Sequence, residues 1–528
     1  MRALLRCSLA FVFILFHSFA ENGATTPYLE YSDLVSGPAA GGRDNLGAII
    51  TVFGAGFGGT QEQSSISLAG VQLDRILQWT DHKIIFQIDS TAKSGEVRVR
   101  VNGRMSNSLS FHVNHGDIHF VSAKGNDNNS GSFTAPWRTI SKAAYFSKPG
   151  DITYVLDGAQ QTTLDNYHAA LSIQISGQPR ASIALVAYPG AHVVIGDVSG
   201  PEFGIRTPAI HNGPFSHWVI AGFTIRGGNT AMKLDRVDGW RIVNNDFSCP
   251  SGDGSAACVE IAGSSGIAFL GNVVHDAGRP GSSKRYQSVY FTTDTNHVEV
   301  AWNTITHSAS CRGIQFHSSP VSSDSGFNQF DLSIHDNKIS GQTCDGLNLA
   351  TIDPSKGHIA VFNNLIYHVG TGPNPPDGES SYACINSPGI VNRGLPGSGS
   401  VEIFNNTLAD CGSQRGPSAV ALNVGKNSPV LEFKHNSVYQ CAGQPYLTPG
   451  SEAGRISEEG NVWQGSGQGP QQTSVALSQA SGITVGPYSG CALPQGAASL
   501  STVDCRVDHD INGTPRDLGG KCAVGAYE

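Results

Sequence analysis

Between Ala231 and Asn423 the chain returns again and again to one short alternating pattern: "AMKLD" from Ala231, "CVEIA" from Cys258, "SVYFT" from Ser288, "GIQFH" from Gly313, "GLNLA" from Gly346 and "AVALN" from Ala419. Successive residues of a strand face opposite sides. Met232/Leu234, Val259/Ile261, Val289/Phe291, Ile314/Phe316 and Leu347/Leu349 are therefore assigned to an interior. Lys233, Glu260, Tyr290, Gln315 and Asn348 line one outer face, and Asp235, Thr292 and His317 form a second outward column. "YACIN", around Cys384, continues the series with its register open by one residue.

A second pattern keeps the same period. Asn followed two residues later by an inward apolar residue occurs at Asn245, Asn272, Asn303, Asn337, Asn364, Asn406, Asn436 and Asn461, at spacings of 27, 31, 34, 27, 42, 30 and 25 residues. Self-similarity at this period predicts stacked coils, one supersecondary unit per turn. In such a stack each Asn amide can bond the turn backbone one coil away, so these asparagines are read as structural. The echo of "CRGIQFH" from Cys311 in "CDGLNLA" from Cys344, 33 residues on, places two cysteines at the same point of successive coils. Stacked strands lie about 4.8 Å apart, within disulfide reach, so Cys311 and Cys344 are expected to be bonded. Cys411 and Cys441 each follow a ladder Asn by five residues and are paired by the same reasoning; Cys249 and Cys258 close a short loop. Cys384, Cys491, Cys505 and Cys522 stay unassigned.

Upstream, residues 27–113 carry shorter strands with Gly and Asn at the corners: "AIITVFGAGFGG", "QWTDHKIIFQI" and "GEVRVRVNGRMSNSLSFHV". These predict a small β-sandwich. The stretch resembles IPT/TIG immunoglobulin-like domains. "GAGFGG" is not read as a phosphate loop, because no helix pattern or Lys follows it. "IHFVSAKGNDNNSGSFTAPWRTISKAAYFSKPGDITYVLDG" (Ile118–Gly158) predicts a helix near Trp137–Phe146 that ends at Pro149-Gly150. This segment resembles the opening of secreted right-handed parallel β-helix proteins, with the helix covering the open end. "VDHDINGTPRDLGGKCAVGAYE" resembles their closing motif and is expected to cap the last coil; Asp508, Asp510 and Asn512 are read as turn residues in preference to a calcium loop. The expected fold is all-β: an immunoglobulin-like sandwich (27–113), a right-handed parallel β-helix (118–464) and C-terminal coils with a capping segment (465–528). Composition agrees, with 64 Gly, 3 Met and 14% charged residues.

Arg2 and Arg6, the apolar run Leu9–Phe16 and Ser18-Phe19-Ala20 predict a signal peptide over residues 1–20. The run is too short to span a bilayer, and no later segment is long enough. Ten cysteines would remain after cleavage, an even number suited to an oxidising compartment. A secreted, periplasmic or cell-surface monomer that does not span the membrane is expected. Net charge is −9, or −11 once Arg2 and Arg6 are gone, a field that repels nucleic acid, so no nucleic-acid partner is expected and any polyanion requires a local basic patch or a bridging cation.

Long insertions around the repeated strand, residues 275–287, 318–331 and 368–382, frame a groove suited to an extended extracellular polysaccharide. The fold resemblance implies polysaccharide lyases that act on uronic-acid polymers by β-elimination, with calcium as a cofactor that such a site could hold. Lys284, Arg312, Tyr290 and His317 are the candidate bases or carboxylate partners. Lys233, Gln315, Asn348, Asp345 and Arg285 are candidate substrate contacts, and Glu260, Asp235 and Asp253 candidate calcium ligands. Arg312 and Asp345 have an alternative reading as a cross-coil ion pair. Hydrolysis would need paired carboxylates, for which Asp235 with Glu260 is the visible pair on neighbouring strands. The rival of another class is a non-catalytic glycan-binding or adhesive protein.

Overall fold

A computed structural model describes residues 26–200, 202–208, 214–318, 329–379, 381–389, 398–412, 419–440, 444–447 and 455–465, and the short stretches 483–484, 492–493, 502–516 and 521–527. The expected signal peptide, Cys441, Cys491 and most of the 318–331 insertion lie outside the described residues.

The first domain packs two antiparallel sheets. One contains Tyr28–Ser32, Ile49–Ala55, Lys83–Gln87 and Ile76–Trp79; the other is built around Leu109–Asn114, Gly95–Val101 and Ser65–Leu68. Alternation in "GEVRVRV" buries Val97, Val99 and Val101 and exposes Glu96, Arg98 and Arg100. Gly54 in "TVFGAGFGG" sits in the strand Ile49–Ala55 where a Cβ would stand 2.0 Å from the Tyr28 carbonyl oxygen, so the close strand approach needs glycine there.

From Ile118 onward three long parallel sheets run side by side through successive coils, the topology of a right-handed parallel β-helix. The predicted helix is Ile140–Phe146, N-capped by the Thr139 hydroxyl, with Ile140, Ala143 and Ala144 turned into the core. With Trp137 it closes the first coil. The assigned interior is correct: Met232 pairs in register with Val259, Val259 with Val289, Val289 with Ile314, and Ile314 with Leu347, all fully buried. Phe291 stacks on Phe316 at 4.8 Å between ring centroids.

The asparagine ladder is continuous. Asn303, for example, accepts from the Asn272 backbone N–H at 2.8 Å and side chain at 3.1 Å, and donates to the Phe269 carbonyl at 2.8 Å and to Asn337 Oδ1 at 2.9 Å. The residue before each ladder Asn has positive φ, from Asn244 (52°) to Gly460 (62°), which turns the chain between two sheets in one step. At that corner a buried amide bonds the neighbouring coils where the strand ladders are interrupted.

Four disulfides join described cysteines. Cys249–Cys258 and Cys311–Cys344 are as expected, and Cys505 pairs with Cys522. The expected Cys411–Cys441 bridge is not formed: Cys411 pairs with Cys384, with Cα atoms 5.3 Å apart. Equal offset from the ladder puts two cysteines in one column only if both point the same way. Cys411 and Cys384 are both fully buried, and their bridge links the ends of Thr407–Ala409 and Ile385–Ser387, strands of two different sheets.

The sandwich is clamped to the β-helix. Tyr154 Oη donates to the Ile49 carbonyl at 2.8 Å, Arg241 donates to the Ser32 carbonyl at 2.8 Å, and Ala184, Val219, Val243, Leu270 and Ala301 share a core with the sandwich. The closing segment does not sit over the last coil as expected. Ile511, Ala526 and Tyr527 pack along the flank on Leu365, Ala409 and Tyr439, because that flank offers an apolar column. His509 fills the seam there, 3.2 Å from Asp336 and 2.6 Å from Asp508, with Tyr28 stacked on its ring. Asp510 accepts from the Asn512 and Thr514 N–H groups, each at 2.8 Å, which is the turn chemistry anticipated for it.

Candidate functional site

The outward column of the repeated strand is continuous through Arg206, Lys233, Glu260, Tyr290, Gln315, Asn348, Asn386 and Asn423, each in register with the next. Its second half is the floor of a cavity of about 600 Å³. Lys284, Arg285, Tyr290, Arg312, Gln315, His317 and Asn348 all line this cavity, so seven of the sequence-selected residues converge. Lys233, Asp235, Glu260 and Asp253 do not line it, and Asp345 lies beneath it.

Two carboxylates hold the wall that carries Lys284 and Arg285. Asp253 accepts from the Ser283 N–H at 2.8 Å and pairs with Arg279; Asp377 accepts from the Ser283 hydroxyl at 2.7 Å and the Lys284 N–H at 2.8 Å. The Ser283 N–H, the Arg279 guanidinium and the Gly254 N–H hold Asp253 at a pKa of about 2. Among the described residues neither Lys284 nor Arg285 makes an ion pair.

Arg312 has a different role. Its Nε lies 2.9 Å from Asp345, its Nη2 bonds Glu379, and its Nη1 donates to the Lys284 carbonyl at 3.2 Å. Burial disfavours its charge, but the two carboxylates outweigh this and hold it cationic. Asp345, fully buried, also accepts from Ser381 Oγ at 2.6 Å, Ala383 N at 2.9 Å and Asn386 Nδ2 at 3.0 Å. Arg312 and Asp345 thus form the cross-coil ion pair, extended by Glu379 into a triad that docks the 368–382 insertion.

Tyr290 and His317 face the cavity as a pair, Oη to Nδ1 at 3.1 Å. Burial pushes the Tyr290 pKa up against the hydrogen bonds of Thr292 and Gln315, so the phenol is protonated at neutral pH. Lys233 and Glu260 pair with each other at 3.0 Å. With Glu260 engaged there, Asp253 in the loop and Asp235 on another coil, the three proposed calcium ligands do not converge, and the donor set does not fit the ion. The one described group of three metal-capable side chains is Asp117, His119 and Asp151, at the first coil. There Asp151 already accepts the Asp117 and Lys148 N–H groups at 2.8 Å each. Asp235 is out of register with Glu260, opposite Ala262, so it forms no carboxylate pair across the groove.

The sequence reading missed Glu379, Ser381, Asn386 and Asn423. The asparagines were legible as the middle residue of "LNL", "INS" and "LNV" on successive coils, once the register of "YACIN" is settled with Ile385 inward and Asn386 outward. Glu379 lies in an insertion with no period to place it. A second cavity, of about 680 Å³, lies in the seam between the two domains, bordered by Glu30, Arg241, Glu299 and Trp302. It has no amide column, and its two arginines, Arg180 and Arg241, stand among Glu30, Glu96 and Glu299.

Residues 36–113 match the IPT/TIG domain family model. No curated protein matches the chain. Solved structures similar to it include a Yersinia enterocolitica family 28 exopolygalacturonase, 10% identical with a TM-score of 0.46, over 83% of this chain and 91% of that one. A pectate lyase, Pel9A, is 14% identical with a TM-score of 0.44, over 76% and 88%. An alginate lyase from Paenibacillus is 14% identical with a TM-score of 0.38, over 62% and 93%. Among the described residues no helix is long and apolar enough to cross a membrane. The chain carries an IPT/TIG domain at its N-terminal end, packed on a right-handed parallel β-helix.

Proposed function

We propose that this protein is an exported lyase that cleaves a uronate-containing polysaccharide in the groove by β-elimination. The observation that carries the reading is one cavity holding a hydrogen-bonded Tyr290–His317 pair together with two cations, Lys284 and Arg285, that have no described ion-pair partner, in a chain of net charge −9. Glu379 is the sole carboxylate among the described lining residues, and it is engaged by Arg312, so the paired carboxylates of a hydrolase are missing from the described wall. Four disulfides fit an oxidising compartment.

In this mechanism Lys284 and Arg285 hold the uronate carboxylate and stabilise the charge that develops on it when the C5 proton leaves. That proton passes to Tyr290 Oη as the phenol's own proton moves to His317 Nδ1, which avoids a free phenolate in a site that disfavours one. The C4–O bond breaks as a C4=C5 double bond forms, and the imidazolium returns the proton to the leaving glycosidic oxygen. No step uses calcium.

The test incubates purified protein with pectate, alginate, glucuronan and neutral glycans, with calcium or chelator, following ultraviolet absorbance of unsaturated ends and reducing sugar together. Absorbance should rise on a uronan irrespective of chelator, and Tyr290→Phe should lower kcat by roughly 10²–10⁴-fold. Reducing ends without absorbance would assign hydrolysis instead. Binding without either signal would make the protein a glycan-binding module, a reading that the amide floor also supports.

A further inference from the structure

The cavity is divided by chemistry along the helix axis. At one end are Lys284 and Arg285, just before the strand that carries Tyr290. At the other, Asn348, Asn386 and Asn423 occupy one outward column on three successive coils, exposed by 4%, 2% and 9%. Stacked coils are about 4.8 Å apart, so Tyr290 and Asn348, two coils apart, are separated by roughly 10 Å. A polysaccharide lying along the axis would place different sugar units over the two ends.

The polarity of the amide stack follows from its partners. Asn386 Nδ2 donates to Asp345 Oδ2 at 3.0 Å, and an ionised carboxylate only accepts, so this orientation is fixed. Asn386 Oδ1 then accepts from Asn423 Nδ2 at 2.8 Å. Asn348 Nδ2 is committed to Gln315 Oε1 at 3.1 Å, which leaves Asn348 Oδ1 buried with no partner. An orphan acceptor of this kind costs about 1–3 kcal/mol, which a donor arriving with the ligand recovers. A hydroxyl or amide N–H supplies that donor. A carboxylate does not, and it would also meet the net negative charge of the Arg312–Asp345–Glu379 triad behind the stack.

We propose that the asparagine stack is a subsite for a neutral, hydroxyl-donating sugar, and that the substrate is a heteropolysaccharide in which such a unit lies about two residues from the uronate held by Lys284 and Arg285. This rests on the groove being the polysaccharide site. The stack reads what the cations cannot, because one end of the groove selects charge and the other selects its absence.

The experiment measures binding of size-matched oligosaccharides, a homo-uronan and a heteropolymer alternating uronate with neutral hexose, to the full protein by calorimetry, with wild type, Asn423→Lys and Asn423→Ala. Wild type should bind the heteropolymer roughly tenfold more tightly, equivalent to one donor matched to a buried acceptor. Asn423→Lys should narrow or reverse the ratio; Asn423→Ala should lower heteropolymer binding more than homo-uronan binding, and it carries the test if the lysine variant does not fold. Equal or tighter wild-type binding of the homo-uronan, or a ratio that neither variant moves, overturns the subsite and leaves the groove assignment intact. No binding of either oligosaccharide overturns both.

Discussion

Replacing Arg312 with alanine separates a structural cation from a catalytic one. In the wild type Arg312 is paired with a fully buried Asp345 and with Glu379, and it supports the Lys284 carbonyl. Removing one partner of a buried charge pair costs about 3–5 kcal/mol, chiefly from the charge left behind. Asp345 keeps three donors, Ser381 Oγ, Ala383 N and Asn386 Nδ2, so the low end applies, about 3 kcal/mol. At ~2 °C per kcal/mol for a large chain, the melting midpoint should fall by roughly 6 °C. A coil stack can open locally, so the sharper assay is protease cleavage and hydrogen exchange across 345–387, where the undocked insertion should lose protection. Arg312→Ala/Asp345→Asn should be less destabilised than Arg312→Ala by at least ~1 kcal/mol, since the orphaned charge is gone. An Arg312→Ala protein with unchanged midpoint and protection, but no turnover, would refute this and return Arg312 to the catalytic set.

Asn337→Ala should destabilise by about 3–5 kcal/mol in denaturant unfolding, because it orphans the Val300 carbonyl, the Asn303 N–H and one Asn303 amide proton; Asn337→Asp should not rescue it, since a carboxylate cannot donate to Val300. Burial alone lowers the His509 pKa, but Asp336 and Asp508 outweigh it and hold it at about 9, above its ordinary 6.5. A raised folded-state pKa means that the clamp's contribution, on the order of 3 kcal/mol, is complete below pH ~6.5 and lost as pH rises through about 9. Hydrogen exchange of 502–516 should accelerate over that window, and His509→Gln should flatten the profile. Non-reducing peptide mapping should recover Cys384 linked to Cys411; a Cys411–Cys441 peptide would contradict that bridge.

The sequence by itself determined the coil stack, its interior and its first outward column. Each depends on a local period: two along a strand, which decides in from out, and roughly thirty between coils, which the ladder asparagines mark because an unpaired buried corner is costly. It also located seven of the cavity's residues: Tyr290, Gln315, His317 and Asn348 by their register, Arg312 by its place at the start of a repeated strand, and Lys284 and Arg285 only as members of an insertion. What it left open depended on direction and on distant partners. Cys411 has the same ladder offset as Cys441, and only the course of the backbone beyond the strand turns it toward Cys384. Arg312 and Asp345 read equally well as chemistry or as an ion pair until Glu379, from an insertion without a repeat, closed the triad above them. The closing segment's place beside Asp336 and Tyr28 required the sandwich and the β-helix to be packed together first, because a contact between residues almost five hundred positions apart leaves no periodic trace in the chain.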